Sequence, residues 1–177
     1  AEVVILGAGV LGANAARAFA ALGAQVTVLD IDLRKLRALE ATVPGRVTLV
    51  HAGDVTIARS VSYADVLVGA VLVPGERAPV LVSKEAVQQM RRDAVILDLS
   101  IDQGGCIETS RPTTLADPVF RAHGAIHYCA PNTPALVART ASHSLSHELV
   151  PLLAGEAKNL AAALQPEHPL TSSVDFY

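Results

Sequence analysis

The feature that most restricts how this chain folds is a set of spaced glycines, Gly7-Ala8-Gly9-Val10-Leu11-Gly12, lodged between a short apolar run and a stretch of helical spacing. Val3-Val4-Ile5-Leu6 is too short and too β-branched for a helix and reads as a buried strand. Beyond the glycines, Leu11, Ala15, Ala16, Phe19 and Leu22 fall on one side of a helix over 10–22, which Gly23 closes. A bare G-x-G-x-x-G is weak evidence, but between a strand and a helix it has a mechanism. Gly7 permits a tight turn. A side chain at Gly9 would keep a pyrophosphate away from the backbone, and Gly12 lets helix and strand lie close. The free N–H groups at the helix start, from Val10 onward, then face the phosphates.

An acidic residue stands where such a ligand needs one. Gln25–Asp30 reads as the second strand, and Asp30 closes it about twenty residues after the last glycine. A carboxylate there accepts both hydroxyls of a ribose and repels a 2′-phosphate, so the pattern favours NAD over NADP. Arg34 and Lys35, one turn later, soften that preference, and Lys35 is a candidate contact to the nucleotide.

The rest of the chain extends the same architecture. A helix over 33–41 and a strand over 46–50 complete a βαβαβ unit. Strands follow at 65–69, 94–99 and 125–129, with a helix over 80–90. Residues 100–124 lack periodicity and are rich in Gly, Thr, Pro and Asp, as functional loops are. A helical region runs over 134–164, where Pro151 and Gly155 predict a break or kink. The expected fold is α/β, a Rossmann-type doubly wound parallel sheet of order 3-2-1-4-5-6. Residues 1–165 form the domain, with 134–165 as a helical connection and 166–177 as a tail or linker.

Composition agrees and excludes other classes. Apolar residues make up 51% and aromatics 3%, which suits helices packed on Val/Ile-rich strands. The net charge of −3, with no basic run interleaved with aromatics, argues against nucleic acid as a partner. No apolar run approaches a membrane span, and no signal-type segment opens the chain, so a cytoplasmic protein is expected. Cys106 and Cys129 have no metal-type spacing and read as reduced thiols, a lone disulfide being the alternative.

The second half carries more specific runs. Ala64-Asp65-Val66-Leu67-Val68-Gly69-Ala70-Val71-Leu72-Val73-Pro74-Gly75 precedes Ala78-Pro79. Asp98-Leu99-Ser100-Ile101-Asp102-Gln103-Gly104-Gly105-Cys106 is followed by Glu108-Thr109-Ser110-Arg111-Pro112-Thr113-Thr114, then His127-Tyr128-Cys129 and Asn132-Thr133-Pro134. From residue 3 to about 153 this succession resembles the NAD-binding domain of alanine dehydrogenase, in the family that also holds the NAD-binding part of proton-translocating transhydrogenase.

The resemblance implies oxidative deamination of L-alanine to pyruvate and ammonia, with hydride passed to NAD. It places Asp102 in the catalytic site, at the carboxyl edge of the sheet; read without it, Asp102 is equally a loop-capping residue. It places Asn132 near the nicotinamide end. Val71, Leu72 and Leu81, together with Leu99 and Ala130, match cofactor-lining positions, where apolar side chains also suit a core. It further implies a homo-oligomer.

Departures from the family cluster at the nicotinamide end: Ala130-Pro131 for Val-Ala, Thr133 for Met, Ala138 for Pro, and His143 and His147 for Tyr and Asn. Near the adenine, Gly53 stands where Ser is frequent. His143 and His147 are four apart on a helix but lack a third ligand, so no metal is expected. No base is placed to activate Cys106, and the resemblance makes it structural. In that family the cations for the substrate carboxylate and the catalytic His belong to another domain. The expectation is a chain that binds NAD but turns alanine over poorly or not at all by itself. The alternatives are a stand-alone NAD-binding sensor or regulatory module and a transhydrogenase-like subunit.

Overall fold

The computed structural model describes residues 1–43 and 47–156. Seven strands form one sheet: β1 (Glu2–Leu6), β2 (Gln25–Asp30), β3 (Val47–His51), β4 (Val66–Gly69), β5 (Val95–Asp98), β6 (Val119–Ala122) and β7 (Ala125–Tyr128). Their order is β3-β2-β1-β4-β5-β7-β6, with every pair parallel except β6 and β7. Among the described residues five helices accompany them: α1 (Val10–Ala21), α2 (Leu33–Glu40), α3 (Asp54–Tyr63), α4 (Lys84–Gln88) and α5 (Ala138–Glu156).

The alternation of side chains along β1 explains why both faces are covered. Val3 and Ile5 join Val26, Val28 and Val68 in a core against Ala16 of α1 and Leu36 and Leu39 of α2. Val4 and Leu6 point the other way, joining Leu29, Leu67 and Ile96 against Ile57 and Val61 of α3 and Val87 of α4. The strand side chains are almost wholly buried, each contributing about 1.5–3 kcal/mol of apolar burial. Strand order reverses between β1 and β4, which is where sheets of this type leave a crevice.

The parallel sheet has the expected order, its sixth strand being β7. Added to it is β6, an antiparallel edge inside the segment read as loop. A two-residue turn, His123-Gly124, joins β6 to β7, with φ of 52° and 84°. Two successive positive φ values make the tight hairpin whose twist matches the strands. α3 also went unread, because its Val, Thr, Ile and Ser residues are indifferent helix formers, and burial of Ile57, Ser60 and Val61 decides the matter. α4 is shorter than expected. Ser83 caps it, accepting from the Ala86 N–H at 3.3 Å, while Val82 before it is extended and bridges to Ile107.

The chain divides into two compact units, residues 1–131 and residues from 132 onward. The first holds the sheet. The second opens with a 3-10 turn, Thr133–Val137, and continues as α5, whose helical run passes through Pro151 without interruption. Arg46 at the head of the expected third strand, the expected helix beyond residue 156 and the tail lie outside the described residues. No helix among the described residues is long and apolar enough to cross a membrane.

Candidate dinucleotide site

The three glycines of the turn face different constraints. A Cβ on Gly7, whose φ is +103°, would lie 2.3 Å from the Ala70 carbonyl oxygen. One on Gly12 would lie 1.9 Å from the Gly7 carbonyl oxygen. Both are fixed by the packing of β1, α1 and the end of β4. Gly9 is different: a Cβ there meets nothing within 4 Å, and its backbone is extended. The fold leaves space at Gly9. α1 begins there with no side-chain cap and no acidic residue in its first turn, so no side chain of the helix itself offsets the partial positive charge at its end. Val10 is exposed beside it.

Asp30 ties this turn to the end of β2. Its carboxylate is buried; Oδ2 accepts from the Ala8 N–H and Oδ1 from the Asp32 N–H, each at 2.7 Å. A carboxylate offers about four acceptor positions, so these two bonds orient it and leave acceptor capacity. Lys35 is exposed in the first turn of α2.

Across the crevice, the ends of β4 and β5 are held together. The Ser100 hydroxyl accepts from the Val71 N–H at 2.9 Å, and the Leu99 N–H donates to the Gly69 carbonyl. Val71 and Leu72 are half-buried there. Val71 and Leu81 pack on one core and Leu99 on the other, while Ala130 is fully buried, so all four have core roles whatever else they touch.

The sequence reading missed Asp98. This carboxylate ends β5 wholly buried and accepts from the N–H groups of Ser100 at 3.1 Å, Cys106 at 3.1 Å and Ile107 at 3.3 Å. Burial raises its pKa above the ordinary carboxylate range, opposed by the Ser110 hydroxyl and these backbone donors. A Cβ on Gly69 would meet Cys106 Sγ at 2.5 Å, and one on Gly105 would meet Asp98 Oδ2 at 2.8 Å. The loop after β5 is thus wound on Asp98. An acid followed closely by Gly-Gly was the available signal. Asp102 sits on this loop in the 3-10 turn Ile101–Gln103, between buried Ile101 and left-handed Gly104, and is exposed.

Other candidates fare differently. The Cys106 thiol is pushed up to about 12 by burial and then by the Asp98 charge, so it is not a nucleophile near neutral pH. Cys106 and Cys129 are both buried free thiols. Asn132 is the first residue of the second unit and starts its 3-10 turn with φ of 51°. His143 and His147 are exposed on α5, and no group of three or more metal-type side chains occurs among the described residues. A surface cavity of about 530 Å³ lies between α2 and β3, but its lining includes none of the expected site residues. It lacks the glycine turn and the open helix end that an anionic ligand needs.

Comparison with known proteins gives a consistent set. The family model described as "Alanine dehydrogenase/PNT, C-terminal domain" matches residues 1–177. The alanine dehydrogenase of Mycolicibacterium smegmatis is 44% identical over 151 residues, covering 85% of this chain and 41% of that protein. A solved L-alanine dehydrogenase superposes with a TM-score of 0.83 at 39% identity, covering 98% of this chain and 52% of the other. A transhydrogenase from Sinorhizobium meliloti superposes with a TM-score of 0.75 at 26% identity, covering 86% and 43%. The chain therefore spans about two fifths of the length of the first of these relatives.

Proposed function

The chain belongs to the alanine dehydrogenase/PNT C-terminal domain family, and from that membership we propose that it is the NAD-binding domain of an alanine dehydrogenase. The observation that carries the proposal is the space left at Gly9, beside an uncapped helix end and an oriented, buried Asp30. A pyrophosphate fits that space, with Gly7, Gly9, Val10 and Gly12 shaping its bed. Asp30 takes the adenosine ribose hydroxyls on its remaining acceptor positions, and Lys35 lies along the nucleotide. Val71, Leu72, Leu81, Leu99 and Ala130 form the apolar ground toward the nicotinamide end; for Asn132 we keep the cofactor role that the family resemblance implies.

Bound NAD supplies a hydride acceptor. The chain's own contribution to chemistry is Asp102. Loss of hydride from C2 of an amino acid leaves positive charge on the C2–N unit, and a fixed carboxylate beside it favours that charge. Asp98 acts one step back, winding the loop that presents Asp102. Asp102 repels the substrate's own carboxylate, so cations from elsewhere must hold it. We assign those cations, and the acid–base histidine, to the part of the longer relatives that this sequence does not span. On this reading residues 134–165 act as the connection toward that part, and 166–177 as a tail or linker. On the same reading we propose L-alanine and pyruvate as substrates, a homo-oligomer and a cytoplasmic setting.

Fluorescence titration checks the nucleotide assignment. NADH binds more tightly than NADPH, and Asp30→Ala weakens NADH tenfold or more, about 1.4 kcal/mol or above. Equal affinity for the two coenzymes, or an unaffected Asp30→Ala variant, would contradict it.

A further inference from the structure

Asp30 is not the only carboxylate at the end of β2. Two residues on, Asp32 caps α2, its Oδ1 accepting from the Arg34 N–H at 2.8 Å. The same carboxylate takes the Arg34 side chain on both oxygens, Nε to Oδ1 at 3.2 Å and Nη2 to Oδ2 at 3.0 Å. This two-pronged contact directs the guanidinium's fork at one partner. The Asp32 N–H meanwhile donates to Asp30 Oδ1, so one peptide couples both carboxylates.

Arg34 stands in the first turn of the helix that leaves the ribose end of β2, a position from which an arginine can receive a 2′-phosphate. A cation in a first helical turn opposes the helix dipole and gains from any nearby anion. Here Asp32 is that anion. The charges of Asp30, Asp32, Arg34 and Lys35 cancel, so this corner offers no net attraction to an added phosphate.

We propose that Asp32 is a coenzyme-selecting residue: by holding Arg34 in a two-pronged ion pair it keeps that guanidinium from a 2′-phosphate, so that preference for NAD over NADP rests on Asp32 as well as on Asp30. The inference rests on the nucleotide site proposed above. The hydrogen bond from the Arg34 side chain holds the Asp32 carboxyl below its ordinary pKa, so the device stays ionised at neutral and mildly acidic pH.

The test is a double-mutant cycle on the 177-residue chain. Asp32→Asn, Arg34→Ala and the double variant are titrated with NADH and NADPH at low salt. Asparagine caps helices as well as aspartate, so α2 is kept, and Asp32→Ser is a second capping variant. Freeing the Arg34 guanidinium to meet the 2′-phosphate predicts that Asp32→Asn shifts the NADPH-to-NADH affinity ratio about threefold to tenfold toward NADPH. Adding Arg34→Ala abolishes the shift, while Arg34→Ala alone moves the ratio less than about twofold because Arg34 is already engaged. The shift shrinks at about 0.5 M salt. An unchanged ratio in both Asp32 variants, or a shift that survives loss of Arg34, overturns the inference. A parent chain that binds neither coenzyme instead overturns the nucleotide site itself.

Discussion

Gly12 has no room for even one methyl group, because the Gly7 carbonyl that a Cβ would strike belongs to backbone and cannot swing aside. Gly12→Ala must push α1 away from β1, and overpacking of this kind costs about 1–3 kcal/mol or more. A drop in thermal midpoint of several degrees by calorimetry is the expected result; an unchanged midpoint would show that the turn relaxes freely. Gly9→Ala meets no such obstacle and loses only about 1 kcal/mol of N-cap preference. The motif was legible in the sequence, but this division of labour was not. Sequence spacing says that three glycines are present; only packing says which two the fold itself requires.

At the scale of elements, the loop after β5 converts a strand end into a presented carboxylate. Asp98 receives three backbone N–H groups of residues 100–107, and Asn in its place has one oxygen to offer where the carboxylate has two. Leaving a buried donor unmatched costs about 1–3 kcal/mol, so Asp98→Asn should lower unfolding stability by that order. Denaturant titration measures it, and a change below about 0.5 kcal/mol would mean the loop is held otherwise. The strands of the parallel sheet were legible as apolar runs because they are buried on both faces. α3 and β6 were not, since their signals are weak locally and their existence is decided by what they pack against. Asp98 was overlooked for a related reason: the Gly-Gly that follows it hints at a tight loop, but only packing shows that the loop folds back onto the acid. The Asp32–Arg34 pair is likewise a matter of geometry, although both residues were plainly visible.

As a whole molecule, on the proposed reading, the chain supplies one side of a two-sided chemistry, its first unit giving a nucleotide bed and one carboxylate. If the substrate's carboxylate is held by a part this sequence does not span, the chain alone gives no measurable L-alanine-dependent NAD reduction, and robust turnover would refute that division. Everything functional depends on a phosphate-bearing ligand occupying the gap at Gly9. Calorimetric titration of NADH into the parent and into Gly9→Ala addresses this, with thermal unfolding of both as the control for folding. The parent should bind one NADH per chain, and Gly9→Ala should bind about tenfold or more weakly while its thermal midpoint moves little. A parent that shows no binding, or a Gly9→Ala variant that binds as tightly as the parent, would contradict a pyrophosphate seat at this turn.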